Sequence, residues 1–279
     1  MIRGCAAALA MMPMLIASTA MAQERVLSLG GSVTEIIYAL GEGQRVIARD
    51  STSSFPPEVE DLPDVGYLRA LSPEGVLSVE PDLVIAEEDA GPPEAIAVLE
   101  SARVAYVAVP DGYDRAAVSA KINAVAKALN VPEKGAELAE QVDRALADAA
   151  ETAASSEKKR VMFILSMQGG RILASGVGTA ADGIIRLAGG ENAVTGYDGY
   201  KPLTDEAALA ARPDVILMMD RGGDHATDNS SLFSHPGLSV TPAATNDAVV
   251  RIDGLLLLGF GPRTPDAVRQ LSEALAEAG

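Results

Sequence analysis

Ser72-Pro73-Glu74-Gly75-Val76-Leu77-Ser78-Val79-Glu80-Pro81-Asp82-Leu83-Val84 matches a later stretch, Thr204-Asp205-Glu206-Ala207-Ala208-Leu209-Ala210-Ala211-Arg212-Pro213-Asp214-Val215-Ile216, position by position. In each copy a hydroxyl residue stands where a helix N-cap belongs, and a glutamate falls in the first helical turn. Pro-Asp then breaks the helix ahead of an apolar strand. Such an internal repeat predicts two lobes built to one plan, with a cleft between them.

Outward from the first copy, Val26 to Leu29 reads as a short buried strand. Gly30-Gly31-Ser32 turns it into a helix through Ile36, Ile37 and Leu40 that ends at Gly41. Val46 to Ala48, Leu83 to Ala86 and Val104 to Val109 are further strands, with helices over Val76 to Val79 and Ala95 to Leu99 between them. This alternation predicts a parallel α/β sheet. From Glu133 onward Leu138, Val142, Leu146, Ala149 and Ala153 mark one face of a single long helix. About 24 residues at ~1.5 Å each span roughly 36 Å, enough for a stiff strut between two lobes. Strands resume at Val161 to Leu165, Val215 to Met218 and Val249 to Ile252. The expected fold is α/β, two Rossmann-like lobes (23–130 and 159–279) joined by a linker helix (131–158), with the ligand cleft between the lobes.

The first 22 residues carry one early charge, Arg3, then an apolar run from Ala6 to Ala17 and the small-residue ending Ala20-Met21-Ala22. This pattern predicts a secretory signal peptide cleaved after Ala22. The run is shorter than the ~20 residues of a spanning helix. Cys5 lies near the start of the leader, away from the cleavage point, so lipid attachment there is not expected. The mature chain then has no cysteine, and export suggests a periplasm, where a core this large dispenses with disulfides. Loss of Arg3 leaves 21 basic against 39 acidic side chains, a net charge of −18. That acidity argues against nucleic acid. It also requires a local basic cluster for any anionic ligand.

Just before the first copy of the repeat, Gly66-Tyr67-Leu68-Arg69 sets a tyrosine and an arginine two residues apart. A phenol titrates near pH 10, so it is a poor anion at neutral pH unless a bound cation or a guanidinium stabilises the phenolate. Tyr67 is therefore a candidate metal ligand, with Arg69 the candidate source of that charge.

The order of parts, leader, α/β lobe, long helix and second α/β lobe, resembles the ABC-transporter substrate-binding proteins that serve cobalamin, siderophores and haem. Within that group the chain is most similar to haemin-binding periplasmic proteins of the HmuT type. The resemblance is carried by Leu29-Gly30-Gly31-Ser32-Val33-Thr34-Glu35, Asp50-Ser51-Thr52-Ser53-Ser54-Phe55-Pro56, Gly66-Tyr67-Leu68-Arg69-Ala70-Leu71-Ser72, Gly178-Thr179-Ala180-Ala181-Asp182, Ala188-Gly189-Gly190-Glu191-Asn192 and Gly259-Phe260-Gly261-Pro262-Arg263-Thr264-Pro265.

The resemblance implies that Tyr67 is the axial ligand of ferric haem b in the cleft. Ferric iron is a hard cation that favours an anionic oxygen, and tyrosinate is a haem ligand type. Arg69 would bond the phenolate or a haem propionate, and Arg221, after a C-lobe strand, would do the same from the other side. Arg49 at a strand end and Lys201 in a loop are further candidates for the basic cluster, with surface ion pairs as the alternative. Gly199-Tyr200 nearly repeats Gly66-Tyr67, so Tyr200 is the rival phenol. It has Pro202 where an arginine would be needed and reads as a cleft wall. Some members add a histidine near Leu165-Ser166-Met167-Gln168, which this chain lacks. Met167 is a soft ligand poorly matched to that iron, so five-coordinate iron is expected. His225 and His235 lie in a polar stretch and read as exposed loop residues, too few for a zinc or manganese site, with His225 as a mobile distal ligand the alternative. The resemblance also implies that Glu74 and Glu206 dock on an inner-membrane permease. It further implies a monomer fed by an outer-membrane haem receptor system. Corrinoid or ferric-siderophore binding is the alternative within the family. An exported enzyme is disfavoured, because Gly30-Gly31-Ser32 and Gly176-Val177-Gly178 lack a full nucleotide fingerprint and no Gly-x-Ser-x-Gly or triad context is present.

Overall fold

A computed structural model describes residues 25–155, 157–220 and 228–278. The leader over 1–22, Arg221 and His225 lie outside them. The N-terminal lobe contains β1 (Val26–Leu29), α1 (Gly31–Ala39), β2 (Val46–Arg49), α2 (Pro73–Ser78), β3 (Leu83–Glu87), α3 (Pro93–Ser101), β4 (Ala105–Val109) and α4 (Arg115–Ala128). The long helix α5 (Pro132–Ala154) follows. The C-terminal lobe contains β5 (Arg160–Gln168), β6 (Arg171–Ser175), α6 (Ala180–Leu187), β7 (Glu191–Asn192), β8 (Tyr200–Leu203), α7 (Asp205–Ala211), β9 (Val215–Asp220), α8 (Asn229–Phe233), α9 (Pro242–Thr245), β10 (Val249–Asp253), α10 (Gly254–Leu258) and α11 (Thr264–Glu277). None of the described helices is long and apolar enough to cross a membrane.

The N-lobe sheet has the order β2-β1-β3-β4 and is parallel throughout. The C-lobe sheet runs β10-β9-β5-β6-β8, and its two halves differ. β10, β9 and β5 are parallel, whereas β5, β6 and β8 pair antiparallel. The parallel sheet expected from the strand–helix alternation up to Val109 is the N-lobe sheet, and the C-lobe adds an antiparallel half to a parallel one. β6 returns directly through the Gly169-Gly170 turn, where both residues have positive φ, so no crossover helix intervenes.

The repeated segments fold alike. Ser72 caps α2 by accepting from the Gly75 N–H, and Thr204 caps α7 by accepting from the Ala207 N–H. Each helix is followed by a left-handed residue, Glu80 at φ 48° and Arg212 at φ 43°. An arginine at the start of the partner strand closes each unit. Arg25 N–H donates to the Asp82 carboxylate at 2.9 Å and its guanidinium bonds the Val79 and Glu80 carbonyls. Arg160 N–H donates to Asp214 at 2.8 Å while its guanidinium bonds the Ala211 carbonyl.

α5 is less a free strut than a central packing element. Its face of Gly135, Ala139, Val142, Leu146, Ala149 and Ala153 is buried, and α4 and α11 pack along it. α4 comes so close that a Cβ on Gly135 would stand 2.3 Å from the Ala126 Cβ. The resulting core is continuous, running from Ile36 and Ile85 through Leu146 to Phe163, Leu217 and Leu271. Each such side chain, fully buried, contributes ~1.5–3 kcal/mol.

Beyond β10 and α10 the chain crosses back onto the N-lobe. Phe260 meets the Tyr113 ring edge-on at 5.3 Å, and Arg263 pairs with Glu35 of α1 and stacks 3.7 Å over the Phe55 ring. Burial raises the Glu35 pKa, and the bond to Arg263 only partly offsets it. Lys121 of α4, 1% exposed, sits within 3.5 Å of the Gly259 carbonyl and the Asp111 carboxylate and 3.2 Å from the Ser32 hydroxyl.

Candidate functional site

Tyr67 stands between a backbone-tethered glycine and a buried leucine and is itself exposed. Gly66, at φ 95°, turns the chain out of the β2 connection, a conformation that favours glycine. Its carbonyl accepts from the Ser51 N–H at 2.9 Å. Leu68, only 1% exposed, then plugs into the N-lobe core cluster with Leu71. Tyr67 caps the short 3-10 turn over Leu68–Ala70 by accepting the Ala70 N–H on its carbonyl. With Leu68 turned inward, the phenol is left 45% accessible.

Arg69, on the same turn, reaches back so that its Nη1 donates to the Tyr67 hydroxyl oxygen at 2.8 Å. Its Nε donates to Asp89 at 2.6 Å, and its Nη2 also pairs with that carboxylate. Partial burial alone would lower the Arg69 pKa, but the bonds to Tyr67 and Asp89 outweigh it and hold the guanidinium above its ordinary value. The phenol oxygen thus accepts a charge-assisted hydrogen bond from the guanidinium.

Tyr200 belongs to the same cluster from the C-lobe. It sits on edge strand β8, its ring edge-on to Phe163 at 6.3 Å and 37% exposed. Its hydroxyl is turned toward the Thr179 hydroxyl and the Ala181 N–H at the start of α6. Burial raises its pKa, and those two groups and the Arg69 charge partly offset the rise. Arg69 is thus near enough to act on Tyr200, and Tyr200 and Asp89 both act on Tyr113. Burial first, then its hydrogen bond to Asp111, pushes the Tyr113 pKa up. Tyr67, Arg69 and Asp89 are thus in direct contact, and the Arg69 charge reaches Tyr200 of the other lobe. The Tyr67 oxygen is bonded by a cation, whereas the Tyr200 oxygen is occupied by its own lobe.

The other candidates are placed elsewhere. Met167 is part of β5, opposite Ile172, and packs against the C-lobe satellite core of Met162, Ile164 and Met218. Arg49 is consumed by the N-lobe, bonding the Val59 and Asp50 carbonyls and the Asp64 carboxylate, so it is not part of a basic cluster. Lys201 lies on β8 rather than in a loop, and its ammonium sits 5.5 Å from the Tyr197 ring centre. His235 is corrected most. It is 8% exposed, accepts the Gly237 N–H on Nδ1 and bonds the Gly170 carbonyl through Nε2. It is a buried strut holding the β5–β6 turn. Arg221 and His225 fall outside the described residues.

Glu74 and Glu206 sit at equivalent exposed positions in the first turns of α2 and α7. The hydrogen bond from its own backbone N–H and one from Ser72 hold the Glu74 carboxyl below its usual value.

Residues not legible beforehand are Asp89, Tyr113 and Asp111. Asp89 closes the acidic run Glu87-Glu88-Asp89 that begins on the last residue of β3.

A family described as periplasmic binding protein matches residues 26–255. The substrate-binding lipoprotein YvrC of Bacillus subtilis, an uncharacterized ABC-transporter component, is 28% identical over 256 residues, covering 90% of this chain and 80% of its own. The vitamin B12-binding protein of Yersinia pseudotuberculosis is 27% identical over 245 residues, covering 86% and 85%. Among solved structures, the periplasmic heme-binding protein BhuT in complex with two hemes superposes with a TM-score of 0.87 at 43% identity. The periplasmic heme-binding protein RhuT from Roseiflexus sp. RS-1, in apo form, gives 0.87 at 40% identity. Each of these two alignments covers 91% of this chain and 98% of the other.

Proposed function

Because this chain belongs to the periplasmic binding protein family, we propose that it captures haem in the cleft between its lobes and delivers it to an ABC importer. The observation that carries this reading is the 2.8 Å bond from Arg69 to the oxygen of an exposed cleft tyrosine. A phenolate so supported suits ferric iron. Similarity to heme-binding structures at 43% and 40% identity favours haem over the corrinoid alternative, whose B12-binding relative stands at 27%. Family and neighbours are substrate-binding proteins, and catalysis has no part in this reading.

In detail, Tyr67 is the axial ligand of ferric haem b and Arg69 supports its phenolate. Tyr200 supplies a cleft wall, and Met167 serves packing. Arg221 is a further candidate for a propionate. The lobes, 23–130 and 159–279, hold haem between them, joined by the 131–158 linker. Glu74 and Glu206 dock on the permease, an outer-membrane receptor supplies haem, and the monomer works in the periplasm after cleavage following Ala22.

Parallel absorbance titrations of the purified protein with haemin and with cyanocobalamin test the ligand class. A saturable Soret change with haemin and none with the corrinoid is expected. Saturable corrinoid binding without haemin binding would overturn the reading.

A further inference from the structure

Arg69 spends only one of its nitrogens on Tyr67. Its Nε and Nη2, the edge a guanidinium turns to a carboxylate, both converge on Asp89 Oδ2. The main chain sets this spacing. The Leu68 carbonyl accepts the Gly91 N–H at 2.8 Å, and the Gly91 carbonyl accepts the Leu71 N–H at 2.9 Å. The turn bearing Tyr67 and Arg69 is thereby tied to the loop bearing Asp89. Arg69 and Asp89 side chains are 45% and 41% accessible. An ion pair so exposed adds little to folding.

We propose that Asp89 is the positioning residue for the iron-binding phenol, acting through Arg69 in a Tyr67–Arg69–Asp89 relay. This rests on the reading of Tyr67 as haem ligand. The carboxylate fixes the guanidinium in the orientation that donates to the phenol oxygen. It also offsets a positive charge that would otherwise draw electron density from the phenolate. The arrangement parallels carboxylates that orient metal-bound histidines and raise their basicity. It also separates the two roles open to Arg69. The edge that would grip a propionate is already engaged, so Arg69 serves the phenolate.

The test compares wild type, Asp89→Asn, Asp89→Glu, Arg69→Leu and the Asp89→Asn/Arg69→Leu double variant, with Tyr67→Ala as reference. Thermal melting, haemin affinity and the ferric/ferrous midpoint potential are measured on each. Asp89→Asn is expected to melt like wild type, bind haemin roughly 10-fold more weakly and raise the midpoint potential, because a negative charge near iron is lost. Asp89→Glu should recover most of both. In the Arg69→Leu background the Asp89→Asn change should have no further effect, the signature of acting through the arginine. Wild-type affinity in Asp89→Asn, a potential that is unchanged or falls, or an equal loss in both backgrounds would overturn the positioning role while leaving Tyr67 ligation standing. Haemin binding that survives Tyr67→Ala unchanged would remove the ligation and the relay together.

Discussion

At Tyr67, Leu68 buries itself in the N-lobe core and the preceding Gly66 turns with positive φ, so the phenol is left exposed. Arg69, two residues on in the same turn, then decides the chemistry of that oxygen. Arg69→Leu should weaken haemin binding by roughly 10-fold, the scale of losing a group that orients a metal ligand. A thermal melt should stay near wild type, because the Arg69–Asp89 pair is exposed; an unaltered titration curve would deny Arg69 its role. Tyr67 and Arg69 were legible because they are neighbours in the chain. Asp89 was not, since its bond to Arg69 depends on backbone bonds through Gly91. His235 misled for a related reason: its sequence neighbours are polar, but its partners are the backbone of Gly170 and Gly237.

The elements show where periodicity suffices. Strands buried on both faces, such as β3 and β9, announce themselves as apolar runs, and the repeat was visible because capping and Pro-Asp chemistry is local. α4 escaped notice because its stretch is alanine-rich with weak apolar contrast, although Asp114 caps it by accepting the Ala117 N–H. β8 was hidden by Lys201 and Pro202, residues that an edge strand tolerates and a central strand does not. The close approach of α4 to α5 makes Gly135 a test of this packing. Gly135→Leu should destabilise the protein by about 1–3 kcal/mol through overpacking, read as a lower urea midpoint with an unchanged slope. No shift would mean that the helices have room to part. Across the lobe junction, Arg263→Met strands the buried Glu35 carboxylate and should cost about 3 kcal/mol. Equal stability by the same urea titration would show that this pair does not hold the lobes.

On the scale of the whole molecule, a core continuous through α5 and the return of Phe260 and Arg263 onto the N-lobe leave little freedom for wide hinge closure. Scattering curves of apo and haem-loaded protein should nearly superimpose, and a marked compaction on loading would refute this rigidity. A rigid body can present Glu74 and Glu206 at a fixed separation. Glu74→Ala with Glu206→Ala should therefore keep haem binding while losing stimulation of the transporter ATPase, and full stimulation would remove the docking role. Cargo capture itself is tested most directly by absorbance titration of the apo-protein with haemin, run on wild type and on Tyr67→Ala. Saturable Soret binding with a tyrosinate-to-iron band in wild type, lost or sharply weakened in Tyr67→Ala, is the predicted result. An identical spectrum and affinity in the two proteins would contradict it.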